Sequence, residues 1–228
     1  MTLNRLKKIW DNGEYALNGW LSINNSFIAE IMSRQNYDTL TIDMQHGLID
    51  YSDLIGMLQG ISGSNVTPIV RVPWLDPGYI MKALDAGAQG IISPMINNKK
   101  EAEEFVSYMR YPPLGNRSFG PTRQNIVQGS DYYKTANENV LCIAMIETAE
   151  AMKNLEEIIS TDGLDAVYIG PADLTLGTTK GRLPPGMDRE EEEMIDRIKT
   201  ILGAAKKAEK KACLHCVKTS YAIQAIKW

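Results

Sequence analysis

Four short stretches of this 228-residue chain end apolar runs on groups that can do chemistry. "IDMQHG" carries Asp43, Gln45 and His46; "IVRVPW" carries Arg71; "AMIET" carries Glu147; "IGPADL" carries Asp173. Taken singly, each has an ordinary structural explanation. A lone histidine is more often structural than catalytic, and Asp173 beside Pro171 suits a helix cap. Glu147 suits an ion pair with a lysine, and Arg71 suits a strand edge. Together they share a feature that independent structural charges lack: all four lie at the carboxyl end of a predicted strand. That is the end at which α/β barrels gather their reactive groups.

Alternation along "CIAMIE" puts Ile143, Met145 and Glu147 on one strand face and Cys142, Ala144 and Ile146 on the other. Asp173 follows one βα unit later. Adjacent parallel strands are about 4.8 Å apart, so one ion can reach both carboxylates. Two hard oxygen ligands, without a second histidine or a thiolate pair, suit Mg2+, Mn2+ or Co2+ better than structural zinc, with water and substrate completing the shell. The Arg71 guanidinium is permanently charged and presents a fork that grips a carboxylate through two hydrogen bonds. These groups fit the enolisation of a 2-oxo acid. A metal chelated by its carboxylate and keto oxygen acidifies the C3 protons while Arg71 holds the carboxylate. His46 serves as the base or positions the water that does, and Asp43 or Asp85 orients His46 and raises its pKa.

The elements that must position these residues follow a repeating pattern. Apolar runs rich in branched residues predict strands at Ala16 to Ser22, Thr39 to Gln45, Pro68 to Val72, Gly90 to Met95, Leu141 to Glu147, Ala166 to Gly170 and Lys211 to Val217. Between them, "IDYSDLIGMLQGIS", "GYIMKALDAG", "KKEAEEFVSYMR", "AEAMKNLEEIIS" and "REEEEMIDRIKTILGAAKKAEK" carry apolar residues at helical spacing. Strands alternating with helices predict a parallel sheet and a (β/α)8 TIM barrel over residues 1–228 as a single domain. The eighth strand and closing helix are missing from this pattern, because "SYAIQAIKW" reads as the helix after strand seven. The expectation is a C-terminally truncated barrel.

Two stretches break the rhythm. Residues 110–140 form a long connection of Pro, Gly, Arg and Tyr whose aromatic and arginine content favours an ordered role. "LGTTKGRLPPGMD" at 176–188 has little to pack and is expected to be mobile or a lid. "CLHC" at 213–216 resembles a redox or zinc motif, but it lies in an apparent strand, where Cys213 and Cys216 would face opposite ways, and no second ligand pair exists.

Bulk composition narrows the class. At 44% hydrophobic residues the chain can bury one large core, and a net charge of -4 with scattered Lys and Arg predicts neither nucleic acid nor membrane as a partner. Three cysteines make no disulfide framework and fit a reducing, cytoplasmic setting. "MTLNRLKKIWDNGE" starts as a short charged helix without a signal-peptide core, and no apolar run reaches the roughly 20 residues of a membrane span.

As a set, "IDMQHG", "VRVPW", "ALDAGAQGIISPM", "RYPPLGNRSFG", "MIETAEAMKNLEEI" and "GPADL", in this order, resemble the class II metal-dependent pyruvate aldolases of the 4-hydroxy-2-oxoheptanedioate and 2-dehydro-3-deoxyglucarate aldolase (HpcH/HpaI) family. The resemblance runs through nearly all of the chain. It implies a (β/α)8 barrel, usually a homo-hexamer, that cleaves 4-hydroxy-2-oxo acids to pyruvate and an aldehyde. It also implies Glu147 and Asp173 as metal ligands, Arg71 on the pyruvate carboxylate, and His46 in acid-base work with Asp85 as its partner. Asp43 and Gln45 belong to the polar support of that site, and the backbone at Ala172 and Asp173 approaches the carboxylate. Three positions depart from the family pattern. Gln45 stands where Glu is common, Met145 where Gln is common, and Ser118 where Gly is common. The other functions compatible with these residues are a carbon-carbon lyase acting on an acyl-coenzyme A, a decarboxylase of oxaloacetate, and a barrel that binds a small acid without turnover.

Overall fold

The structure, a computed structural model, describes residues 4–228. Met1 to Leu3, the start of the expected N-terminal helix, lie outside the described residues. The chain divides into two compact units. One runs to Ser93 and resumes over Phe105–Cys142; the other comprises Pro94–Glu104 and Ile143–Trp228. All seven expected strands form, and they are joined in a single parallel sheet in chain order.

The first unit opens with α1 (Arg5–Asp11), β1 (Asn18–Leu21), α2 (Ser26–Ser33), β2 (Thr39–Asp43), α3 (Tyr51–Ile61), β3 (Thr67–Arg71), α4 (Pro77–Ala86) and β4 (Gly90–Ser93). Helix starts are set by side-chain caps. Asn25 accepts the Ile28 amide, Asp50 and Asp53 form a reciprocal capping box, and Asp76 caps a helix that begins with Pro77. Gly87 ends that helix at a φ of 125°, a conformation that glycine tolerates. Every residue of β2 is buried, as expected of a parallel strand covered on both faces. Leu40, Ile42, Val70 and Ile91 form the sheet side of the core, and Leu54, Leu58, Ile80 and Leu84 the helix side.

The chain continues through α5 (Lys99–Met109), α6 (Thr122–Gln128), α7 (Tyr132–Asn139) and β5 (Leu141–Ile146). Residues 110–140, expected as one long connection, therefore contain two helices. Their packing explains the order. Tyr132 and Ala136 of α7 are buried against Tyr111, and the Gln124 side chain of α6 donates to the Leu84 carbonyl at 3.2 Å.

In the second unit β5 leads to α8 (Ala149–Lys153), α9 (Leu155–Ile159), β6 (Ala166–Ile169), α10 (Pro171–Thr179), α11 (Glu192–Lys207), β7 (Lys211–Leu214) and α12 (Thr219–Ala225). The single helix expected from "AEAMKNLEEIIS" is broken at Asn154, whose side chain turns away to donate to the Asn97 carbonyl at 2.8 Å. The stretch 176–188, expected to be mobile or a lid, begins as the last turns of α10. It ends at Asp188, which accepts the Val217 and Lys218 amides at 2.9 and 2.8 Å. Cys216 lies beyond the end of β7 rather than within it. Burial pushes the thiol of Cys213 up to about 12 and that of Cys216 to about 11, away from reactive thiolates. Among the described residues no helix is long and apolar enough to cross a membrane.

One backbone approach holds the end of β2 in place. A Cβ on Gly47 would overlap the Asp43 carbonyl oxygen and come within 3.1 Å of the Ser22 Cα. Gly47→Ala is expected to cost about 1–3 kcal/mol by forcing the backbone apart. Gly203→Ala, in open space on α11, should instead gain up to about 1 kcal/mol of helix stability. Urea unfolding of both variants measures the contrast; equal stabilities would contradict the contact.

Candidate active site

In the first unit the ends of β2 and β3 are paired in register, Asp43 opposite Arg71. Arg71 donates to Asp43 through Nε at 2.8 Å and Nη2 at 2.6 Å, a two-point grip with side chains 12% and 3% exposed. β3 lies between β2 and β4, so Arg71 is not at a sheet edge. Its guanidinium lies 4.8 Å from the centre of the Trp20 ring, and the Trp20 indole donates to Asp43 at 3.3 Å. Burial pushes the Asp43 carboxyl up, but the hydrogen bonds and charge of Arg71, with the Gln45 amide and Trp20, outweigh it and hold the group below its ordinary range. A guanidinium has five N–H donors. The Asp43 grip takes one edge of the fork, Nε and Nη2, and leaves the Nη1 and Nη2 edge without a carboxylate partner among the described residues. That edge has the two-point geometry that recognises a carboxylate.

His46 is exposed, and its backbone amide lies 3.4 Å from Asp43 Oδ1, but its imidazole makes no hydrogen bond to a described residue. The expected pairing of His46 with Asp43 or Asp85 is thus not formed in the folded chain. Both carboxylates are taken by guanidiniums, which bind them with more charge and better geometry than an imidazole offers. Asp43 holds Arg71. Asp85 accepts from Arg117 at 2.7 Å, and the Arg117 side chain is fully buried, with its guanidinium 4.4 Å from the centre of the Tyr111 ring and 5.6 Å from that of Tyr132. Burial outweighs the Arg117 contact and raises the Asp85 carboxyl above its ordinary range. Gln45 is half-buried, and its Oε1 is shielded from solvent without a hydrogen-bond partner among the described residues.

In the second unit Glu147 is 2% exposed. Its Oε1 accepts the Met95 amide at 2.9 Å, a geometry reached with Met95 at a φ of 57°. Its Oε2 lies over Gly170, the residue that precedes α10, where a Cβ would overlap it. The start of α10 thus brings its partial positive charge to the carboxylate. Asp173 is in the first turn of the same helix, exposed, and makes no hydrogen bond or ion pair with a described residue. It does not cap the helix: the residue at the cap is Gly170. Ala172 stands half-buried between them.

These residues fit a hard divalent cation. They offer oxygen ligands only, on a glycine cradle that a side chain would fill. Among the described residues no group of three or more His, Cys, Asp or Glu side chains could hold a metal by itself. Two carboxylates with the remaining positions left to water and substrate suit a cation of that class.

Several residues of these clusters had no signal in the sequence. Trp20, Met95 and Arg117 act through partners far along the chain; so do Tyr168 and His215, whose hydroxyl and Nδ1 are 3.0 Å apart. Strand alternation across the sheet is the one pattern from which Trp20 and Tyr168 can be found.

A parallel α/β sheet with acidic and guanidinium groups at its carboxyl ends defines the class, an α/β scaffold built for small-acid chemistry. The profile of the HpcH/HpaI aldolase/citrate lyase family matches residues 17–221, and the chain belongs to that family. It is 42% identical over 214 residues to the hydroxypyruvate/pyruvate aldolase of Rhizorhabdus wittichii, covering 94% of this chain and 84% of that protein. It is 37% identical to a 4-hydroxy-2-oxo-heptane-1,7-dioate aldolase of Escherichia coli, covering 75% and 67%. The crystal structure of an HpcH/HpaI aldolase/citrate lyase family protein from Burkholderia cenocepacia superposes with a TM-score of 0.87 at 30% identity, covering 98% of this chain and 89% of that one.

Asp43→Asn is expected to destabilise the fold by about 3 kcal/mol at pH 7, because it leaves Arg71 buried beside a neutral amide. The folded pKa of Asp43 lies below the ordinary 3.8, so its contribution is complete at neutral pH and fades as pH falls from 3.8 through the folded value. Urea titrations at pH 7 and pH 3 should show the gap between wild type and variant narrowing at the lower pH.

Proposed function

We propose that this protein is a carbon-carbon lyase of the aldolase type. It would cleave 4-hydroxy-2-oxo acids, reversibly, to pyruvate or hydroxypyruvate and an aldehyde. The observation that carries this reading is the Glu147 carboxylate seated over Gly170 at the start of the helix that bears Asp173. Family membership and the names of the aldolase relatives support the same reaction.

Glu147 and Asp173 would hold a divalent cation, Mg2+, Mn2+ or Co2+, and the Ala172 and Asp173 backbone would approach the substrate carboxylate. When bound, the cation supplies Lewis-acid polarisation of the keto group. Arg71 holds the substrate carboxylate on its Nη1 and Nη2 edge, and Asp43 fixes the plane of that fork. His46, exposed and with an imidazole that makes no hydrogen bond to a described residue, takes the proton at C3 or orders the water that does. Gln45 offers its buried carbonyl oxygen to a substrate or water N–H or O–H donor. Asp85, bound to Arg117, is given no part in this acid-base work. We further infer a single (β/α)8 barrel domain, since parallel strands in chain order are the pattern of that fold. A homo-oligomer, a hexamer by resemblance, accords with Phe27 and Ile31 standing exposed on α2. The three free cysteines accord with a cytoplasmic setting.

Exchange of pyruvate methyl protons with D2O, followed by NMR, tests the proposal without knowledge of the aldehyde. Wild type should catalyse exchange only with Mg2+, Mn2+ or Co2+ present, and Glu147→Gln and Asp173→Asn should lose at least a hundredfold in rate. Arg71→Lys, which cannot present two parallel donors, should raise the KM for pyruvate about tenfold or more while cation affinity holds. Metal-independent exchange, or undiminished exchange in both carboxylate variants, would sink the assignment.

A further inference from the structure

Strand register sets His215 in the same layer of side chains as Glu147. Met145 pairs with Tyr168 and Tyr168 with Cys213, so these three lie abreast on one face of β5, β6 and β7. Two residues further along each strand, alternation returns to that face at Glu147, Gly170 and His215. Two contacts show that the alignment continues past the strand ends. A Cβ on Gly170 would fall 3.2 Å from Glu147 Cβ, and the His215 amide donates to the Ile169 carbonyl at 3.4 Å, the next rung of the β6 and β7 ladder.

Gly170 has no side chain, and Glu147 Oε2 takes the space a Cβ there would fill, on the β6 side of β5, while Oε1 accepts the Met95 amide. On the far side stands His215, with Nδ1 at 3.0 Å from the hydroxyl of Tyr168 in the layer beneath. Tyr168 is itself 6% exposed, so its hydroxyl is a fixed partner rather than a wandering one. With Nδ1 turned to the lower layer, Nε2 is the ring nitrogen on the side of the Glu147 layer. Strand spacing leaves about 10 Å between the two Cα positions, a span that a glutamate and a histidine reaching inward from either side can close.

We propose that His215 is a positioning residue for Glu147. The Tyr168 hydroxyl donates to Nδ1, which places the ring hydrogen on Nε2, and Nε2–H donates to the Glu147 carboxylate. Glu147 is then held from two sides, by the Met95 amide and by His215, and its remaining lone pairs are aimed at one place. Such outer contacts orient a ligand and sharpen its affinity. The inference rests on the proposed function only in giving Glu147 a cation to hold; the contact itself does not need the cation.

Nitrogen-15 NMR of the metal-free protein reads the contact directly, because the chain has two histidines and His215→Asn identifies the second by loss. The expected result is a His215 ring in the Nε2–H form, with its Nε2–H signal shifted in Glu147→Gln and a tautomer mixture in Tyr168→Phe. Identical His215 signals in wild type and Glu147→Gln overturn the proposal. In Mn2+ titrations, His215→Leu should weaken binding about tenfold or more, and His215→Asn, whose amide keeps an N–H donor, should recover part of it. Equal affinity in all three also overturns it. A wild type that binds no Mn2+, but whose His215 signal responds to Glu147→Gln, would overturn the cation reading and uphold the contact.

Discussion

A carboxyl group at 2% exposure is costly unless donors replace the water it has lost, and Glu147 is such a group. The local structure of the second unit answers that cost piece by piece. Met95 adopts a left-handed backbone conformation that costs a side-chain-bearing residue on the order of 1 kcal/mol, and in return its amide reaches Glu147. Gly170 gives up a side chain so that the other oxygen can lie against the start of α10, where backbone dipoles favour negative charge. Thr148, next along the chain, caps α8 and donates to Asn97, two residues beyond Met95, so the turn that carries the Met95 amide is tied to the strand end that carries Glu147. Together these contacts hold the Glu147 carboxylate in one orientation.

The first unit meets an analogous demand with a pair of side chains. Arg71 is nearly buried at the end of a central strand, and Asp43, opposite it in register, neutralises it and fixes its plane. Trp20 closes the third side, stacking on the guanidinium and donating to the carboxylate. Rigid presentation of one edge leaves the other edge able to bind a carboxylate with little loss of side-chain freedom, which a lysine on a flexible stem cannot offer. The carboxylate of Asp43 is thus spent on Arg71 rather than on the histidine pairing expected of it.

All seven strands were legible because parallel strands buried on both faces need continuous branched apolar runs, and "TLTID", "TPIVR" and "LCIAMI" supply them. Their ends were read up to three residues too long, since Gln45, Met95 and Glu147 continue the alternation after ladder pairing has stopped. α2 went unnoticed: "SFIAEIMS" is short, and its apolar residues Phe27, Ile28 and Ile31 face outward, against the usual amphipathic expectation. α6 and α7 hid in a stretch rich in Pro and Gly because tertiary contacts, not local periodicity, order them. The principal candidate residues were legible from position at strand ends. Their partners were not, because the pairing of Asp85 with Arg117 or of Tyr168 with His215 spans tens of residues and is set by packing alone.

The departures from the family pattern acquire physical content from their surroundings. Met145 is buried, aligned with Tyr168, and its terminal methyl would lie 2.9 Å from a Cβ on Gly170, so it forms an apolar floor beneath the glycine that cradles Glu147. An amide in its place would have to find partners in that floor or leave a buried donor unmet, at about 1–3 kcal/mol. Gln45 works in the opposite sense, keeping an acceptor oxygen without the charge of the glutamate common there. A second anion two residues from Asp43 would compete for the positive field of Arg71, whereas a neutral amide leaves that field to Asp43 and to an incoming acid. Both replacements lower the polarity around the reacting groups without touching Glu147, Asp173 or Arg71.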